Sequence, residues 1–333
     1  FEDDSATAAR VVPALRKRGA RAVFGVGHIP AESDSLRRAR RRDLLRLARG
    51  VKGVDAWFGG HSHNQVIDEV NGVPLMIAGA HGEVVAVCDV VMDPVAGAAI
   101  EKRSRLQPTY ADEVRADTAM AARVERWNAS VAPIAAQELG RNLRTLTRNR
   151  NTESSLGNFV TDAMREACGA AIALQNSGGL RADLAEGVVT PGAIYEVMPF
   201  DNTVVTMDLT GAQVRRVFEE GLRYGRVAQL SCVRISFDPS KPDFQRIQSL
   251  TLADGAPLDE AKTYVVAVNN FMATGGDNFD SLAKGHNIKD TGIVIRATLE
   301  DYITSRTKRG EPLDVKLDGR IQRVGNSGGS GER

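Results

Sequence analysis

One pattern constrains the fold more than any other: a short apolar run that ends in a polar, glycine-rich loop. Ala20 to Val26 leads into Gly27-His28-Ile29-Pro30, and Val54 to Phe58 into Gly59-Gly60-His61-Ser62-His63-Asn64. Ala170 to Leu174 leads into Gln175-Asn176-Ser177-Gly178-Gly179-Leu180-Arg181, and Tyr264 to Val268 into the loop from Asn269 to Phe279. Stretches of helical periodicity fill the intervals. Buried strands alternating with helices read as α/β layers, and open α/β sheets bind ligands where their strands run out. The chemistry is therefore expected in these loops.

The spacing predicts a first helix over Ser5 to Arg18, with Ser5 as its cap, Gly19 as its stop and Pro13 as a kink. Asp34 is expected to cap a second helix running to about Arg49, with Leu36, Leu44, Leu45 and Leu47 inward. Seven arginines between Arg37 and Arg49 read as a solvated face rather than a nucleic-acid patch, because 43 Lys+Arg against 42 Asp+Glu leave the chain nearly neutral. Pro74 to Ala78 and Val84 to Met92 read as strands. Asp112 to about Leu139 is a long amphipathic stretch with Val114, Met120, Val124, Trp127, Val131 and Ile134 near helical spacing, and reads as an interdomain connection. Beyond it, helices are expected up to Cys168, from Pro191 to Met198, from Thr210 to Leu222 and from Ile295 to Ser305. Strands are expected over Val204 to Leu209, Val233 to Phe237 and Arg246 to Leu252.

A length of 333 residues suggests two domains. These are read as residues 1–108 and 141–324, with a linker helix over 109–140 and a glycine- and serine-rich flexible tail over 325–333. No apolar run approaches the roughly 18 residues of a spanning helix. Cys88, Cys168 and Cys232 are odd in number and far apart, so neither a disulfide framework nor a cysteine metal site is indicated. The chain begins with Phe1 rather than Met, and the stretch that follows reads as a helix rather than a signal peptide, so the expectation is a mature form or a fragment.

His61 and His63 stand two apart in a glycine-rich turn, where imidazoles can reach one site and the main chain can approach an ion. His28 ends the neighbouring strand and can converge on them. The pattern is short, and a polar turn with solvated histidines fits it as well. Arg150 and Arg181 are planar cations suited to grip phosphate or carboxylate. Phe200 and Phe271 stand apart from regular apolar patterns, as two faces of a clamp for a flat ring would. Asp277 follows two glycines, as an acceptor for ribose hydroxyls would, and Asn176 suits a ring nitrogen or a phosphate oxygen. Each alone also fits an ordinary core or surface residue. Their joint placement in glycine-rich loops favours a nucleotide site.

Four ordered motifs carry a resemblance: Glu153-x-x-Leu156-Gly157-Asn158, Asn176-Ser177-Gly178-Gly179-Leu180-Arg181, Met198-Pro199-Phe200-Asp201-Asn202-Thr203, and Asn270 to Phe279. Residues 140 to 324 resemble the C-terminal substrate-binding domain of the 5'-nucleotidase family. Gly27-His28 and Gly59-Gly60-His61-Ser62-His63 are similar to motifs in the second half of that family's metallophosphoesterase domain. The fold class implied is a partial metallophosphoesterase α/β sandwich joined by a helix to an α/β (α+β) C-terminal domain.

The resemblance implies a nucleotide phosphohydrolase with two divalent metals of the zinc, manganese or cobalt type. His28 and His61 would serve one metal and His63 the other. Arg150, Asn176 and Arg181 would hold the phosphate and its surroundings, with Arg148 as a competitor for the place of Arg150. Phe200 and Phe271 would sandwich the base, and Asp277 would bind ribose. A small nucleotide or nucleoside, rather than a nucleic-acid polymer, is the implied partner, and the implied location is periplasmic, cell-surface or secreted. The family's Asp-x-His and Asn-His motifs are absent from this sequence. The expectation is that they lie upstream, so that this chain holds at most one ion, weakly, and catalyses poorly alone. A 2',3'-cyclic-nucleotide phosphodiesterase/3'-nucleotidase, a UDP-sugar hydrolase and a non-catalytic nucleotide-binding module are the alternatives. His81 and His286 read as structural or surface residues.

Overall fold

The computed structural model describes residues 2–223, 225 and 227–325. It divides into two units, Phe1–Val124 and Glu125–Arg333. Most of the tail expected over 325–333 lies outside the described residues.

The first unit contains α1 (Asp4–Lys17), β1 (Phe24–Val26), β2 (Glu32–Ser33), β3 (Ala39–Arg41), α2 (Asp43–Gly50), β4 (Ala56–Phe58), β5 (Gln65–Val70), β6 (Val73–Ala78), β7 (Val84–Met92) and β8 (Ala99–Pro108). A four-stranded sheet runs in the order β1-β4-β6-β5, with β1, β4 and β6 parallel, and β7 and β8 pair as a separate hairpin. Its core is formed by Leu44, Leu45 and Leu47 of α2 packed on Trp57, Val66, Leu75 and Ile77 of the sheet. Gly25 has to be glycine here, because a Cβ would sit 2.1 Å from the Trp57 ring.

Two helix starts differ from expectation. Asp3, not Ser5, caps α1, its Oδ1 accepting from the Ala6 N–H at 2.8 Å, and the helix runs on through Pro13. Asp34 caps no helix. It closes the turn between β2 and β3 by accepting from the N–H groups of Leu36 and Arg38, each at 2.9 Å. Short polar side chains satisfy turn amides as readily as helix amides. Helix α2 therefore begins only at Asp43, and Leu36 is exposed.

The linker is helical over α3 (Thr118–Ala135) rather than over 109–140, and none of its residues is buried. No helix among the described residues is long and apolar enough to cross a membrane.

The second unit continues with β9 (Gly140–Asn142), α4 (Ser155–Cys168), β10 (Ile172–Gln175), β11 (Gly187–Val189), α5 (Pro191–Val197), β12 (Thr203–Thr210), α6 (Gly211–Arg223), β13 (Gln229–Ser231), β14 (Val233–Phe237), β15 (Ile247–Leu252), β16 (Thr263–Asn269), α7 (Asn270–Ala273), β17 (His286–Val294), α8 (Ile295–Lys308) and β18 (Ile321–Arg323). Its main sheet has the order β13-β10-β16-β12-β17, with β10 and β16 parallel neighbours at the centre. Both faces are covered, which is why these strands read as continuous apolar runs. Ile172, Leu174, Val266 and Val268 point toward α6 and the small β15-β14-β18 sheet. The intervening Ala173 and Ala267 point toward α4, α5 and α8.

Candidate functional site

Parallel pairing of β10 with β16, Ile172 opposite Val266 and Ala173 opposite Ala267, delivers their two following loops to the same end of the sheet. Three buried amides meet there. The Asn176 Oδ1 accepts from Gln175 Nε2 at 2.9 Å and from Asn269 Nδ2 at 2.8 Å, while its Nδ2 donates to Asp277 Oδ2 at 2.7 Å. Asn269 Nδ2 also reaches Gln175 Oε1 at 3.0 Å, and its Oδ1 caps α7 by accepting from the Met272 N–H at 2.7 Å. Asp277 is aimed by a left-handed turn: Gly275, Asp277 and Asn278 have φ of 90°, 55° and 67°. A Cβ on Gly276 would lie 2.6 Å from the Phe271 ring, so only glycine lets the ring lie against this turn.

Phe271 and Phe200 are 45% and 42% exposed, an unusual state for phenylalanine and one that leaves ring surface for a ligand. The Arg181 guanidinium lies 5.9 Å from the Phe200 ring centroid and donates to Gly178 O at 3.2 Å. The Phe200 loop is held from behind by Arg296 of α8, which donates to Met198 O at 3.1 Å and Phe200 O at 2.6 Å and pairs with Asp201. Of the two arginines in the preceding loop, Arg148 is engaged by Asp183 at 2.9 Å and by the Arg181 carbonyl. Arg150 is exposed, and its own carbonyl accepts from the Val227 N–H at 2.9 Å.

Sequence reading missed Gln175, Asn269 and Arg296 as parts of this arrangement. The first two carried a signal, being amides at the buried ends of apolar strands, where an unpaired polar group is costly. Arg296, in a polar helix, carried none. The Glu153 to Asn158 motif serves as a bracket: Glu153 accepts from Asn158 Nδ2 at 2.7 Å and from the N–H groups of Asp318 and Gly319 at 2.9 and 3.1 Å.

In the first unit, backbone bonds from Gly27 to Phe58 O and from Gly60 to Ile29 O, each 3.0 Å, set the two histidine loops side by side. They bring His28 Nε2 within 3.1 Å of His61 Nδ1. His61 and His63 have φ of 69° and 57°, the left-handed region. The His63 ring meets the edge of His81 with centroids 5.7 Å apart, so His81 packs within the loop cluster. Among the described residues no group of three or more His, Cys, Asp or Glu side chains is placed to hold a metal. Imidazole pairs are present, short of the three protein donors a catalytic zinc site uses.

The family described as 5'-nucleotidase, C-terminal domain, matches residues 130–284. The chain is 28% identical to a trifunctional nucleotide phosphoesterase protein of Bacillus subtilis, YfkN, and 26% identical to an endonuclease of the same organism, YhcR. Each similarity covers 97% of this chain, which spans about a quarter of the relatives' length, 23% and 26%. A solved 5'-nucleotidase precursor from Thermus thermophilus superposes with a TM-score of 0.75 at 28% identity, over 98% of this chain and 68% of that one. Motif order and fold thus agree with what the chain is similar to: a 5'-nucleotidase C-terminal domain over residues 130–284, and a solved 5'-nucleotidase precursor over nearly its whole length.

Proposed function

We infer that this chain supplies the nucleotide-binding part of a metal-dependent phosphohydrolase that releases phosphate from nucleoside monophosphates, in nucleotide catabolism. The observation that carries the reading is the Asn176–Asp277 contact at 2.7 Å, set at the ends of adjacent parallel strands and next to the exposed Phe271 ring. In this reading Phe200 and Phe271 stack on the base, a contact tolerant of base identity because every base has a π-face. Asp277 accepts from the ribose hydroxyls and Asn176 donates to the ligand. Arg150 and Arg181 neutralise the phosphate, which an always-charged planar donor does well.

His28, His61 and His63 enter as donors to divalent ions of the zinc, manganese or cobalt type. Since the described residues offer only imidazole pairs, the chain by itself binds at most one such ion, weakly, and hydrolyses poorly. The same shortage favours a second reading of another class, a non-catalytic nucleotide or nucleoside module. Within the enzyme class, 2',3'-cyclic nucleotides and UDP-sugars are the competing substrates. The ligand is a small molecule rather than a nucleic-acid polymer, and the location is periplasmic, cell-surface or secreted.

The test is hydrolysis by the whole protein, with manganese, zinc or cobalt, of AMP (read as phosphate), a 2',3'-cyclic nucleotide (as nucleoside monophosphate), UDP-glucose (as UMP) and single-stranded nucleic acid (as fragments) side by side. Fastest turnover of AMP supports the 5'-nucleotidase reading. Nucleotide binding without hydrolysis of any of them leaves the module reading standing instead.

A further inference from the structure

We propose that Asn269 and Gln175 are positioning residues that fix the polarity of the ligand face. Through them Asn176 is presented only as a hydrogen-bond donor, so the site takes a ligand that places an acceptor atom at Asn176 and a hydroxyl at Asp277. This rests on the nucleotide-site reading above and states which of its polar groups faces which part of the ligand.

The argument starts from a group whose polarity cannot be reversed, the backbone N–H of Met272. It can only donate, and it reaches the Asn269 side chain at 2.7 Å, so the atom facing it is the oxygen. The amide nitrogen of Asn269 must then face the other way, where it meets Gln175 Oε1 at 3.0 Å and Asn176 at 2.8 Å. Both of those atoms are therefore oxygens. With its Oε1 so engaged, Gln175 turns Nε2 onto the same Asn176 oxygen at 2.9 Å. An amide oxygen has two lone pairs, and both are now taken.

Asn176 is thereby left with its NH2 group pointing outward. One hydrogen goes to Asp277 Oδ2 at 2.7 Å, and the second is available to a ligand. Reversing Asn176 would set its oxygen against the carboxylate and its NH2 against two N–H donors. At a residue only 6% exposed, no water compensates for that. Asn269 and Gln175 are themselves 0% exposed, so they act on the ligand only through Asn176. The Asp277 carboxylate, an acceptor, stands beside the Asn176 donor. A nucleoside meets this pair with a sugar hydroxyl on one side and a ring nitrogen or phosphate oxygen on the other.

The experiment is calorimetric titration of the whole 333-residue chain with adenosine and with 2',3'-dideoxyadenosine, alongside thermal melting. The unaltered chain is expected to prefer adenosine. Asn269→Asp keeps the acceptor for Met272 and turns the second atom from donor to acceptor, which reverses the signal passed to Asn176. Adenosine should lose both the Asn176 donor and the Asp277 carboxylate which that donor orients, the dideoxy compound only the donor, so the preference for adenosine is expected to fall about tenfold, the loss expected of one buried polar contact. Gln175→Met, uncharged and similar in volume, should shift the same ratio in the same direction by less, and it decides the matter if the buried carboxylate prevents folding. A folded Asn269→Asp or Gln175→Met chain that keeps the wild-type ratio overturns the proposal. Phe271→Ala should weaken both ligands equally. If it weakens neither, the nucleotide-site reading fails. If it weakens both while the amide variants leave the ratio intact, only the positioning role fails.

Discussion

The loop clusters of the two units are secured by opposite means. In the second unit buried side chains do the work: Gln175, Asn176 and Asn269 bond one another, and Asn269 also caps the turn that carries Phe271. In the first unit the main chain does it, through bonds such as Gly60 to Ile29, and the imidazoles of His28, His61 and His63 stand exposed at its surface. The first arrangement is ordered before any ligand arrives, so little rotamer freedom remains to be lost on binding. The second orders the backbone, and its imidazoles meet one another at the surface, His28 on His61 and His63 on His81.

The largest expected effect comes from breaking the buried bracket of the second unit. A Cβ on Gly157 would lie 2.2 Å from the Gln229 Oε1, which accepts from both the N–H and the hydroxyl of Ser154 at 2.9 Å. Gln229 also donates to the Thr152 carbonyl at 3.0 Å, and so holds the loop that presents Arg150. Gly157→Leu should destabilise this unit by about 3 kcal/mol, the upper end for overpacking a filled site. Urea unfolding followed by circular dichroism measures it, with the fluorescence of buried Trp57, in a Trp127→Phe background, reporting the first unit. An equal shift in the Trp57 transition would break the comparison, because the two units would then not be held separately.

A smaller effect is expected at Arg296, whose charge-assisted bonds hold the Phe200 loop. Arg296→Ala should cost about 2 kcal/mol in stability, at the level of a hydrogen bond to a charged group. Loosening of Phe200 should also weaken adenosine binding about tenfold. Unchanged affinity in a destabilised chain would show that Phe200 needs no support from α8.

Much of this was legible because apolar runs and glycine-rich loops are local signals. The strand Val84–Met92 is found where its alternation places it, and Thr210 does cap the start of α6, its hydroxyl accepting from the Gln213 N–H at 3.2 Å. What escaped was set by tertiary pairing. Strand β17, His286–Val294, is exposed along most of its length and polar, and only its bonding to β12 makes it a strand. Strand β8 carries the charged run Glu101-Lys102-Arg103, with Arg105 just beyond, and owes its form to the hairpin with β7. At the candidate site the residues proposed to face a ligand stood out by type and by neighbouring glycines. The amides behind them showed only as polar residues at the ends of apolar strands, and their bonding to one another did not show, since a hydrogen-bond network joining residues 175 and 269 crosses 94 positions of chain.

The smallest effect sharpens the comparison from the side of the first unit. Asp34 accepts from the N–H of Arg38, pairs with the Arg40 guanidinium and accepts from the N–H of Leu36, and these hold its carboxyl from the ordinary 3.8 down to about 2. A carboxyl depressed in the folded chain stabilises it fully above the unfolded value, and that contribution disappears as pH falls from about 4 through about 2. Asp34→Asn keeps an oxygen for the two backbone donors and loses the charge. Its urea midpoint, read from Trp57, should therefore fall less between pH 5 and pH 2 than that of the unaltered chain. Arg38 and Arg40 are 51% and 54% exposed, so added salt should shrink the difference further. The side chains that hold the proposed ligand face of the second unit from behind, Gln175 and Asn269, are neutral amides, and adenosine itself carries no charge, so its affinity should be nearly indifferent to the same salt. Equal salt sensitivity of both readouts would mean that surface charge, rather than buried hydrogen bonding, orders the second site as well.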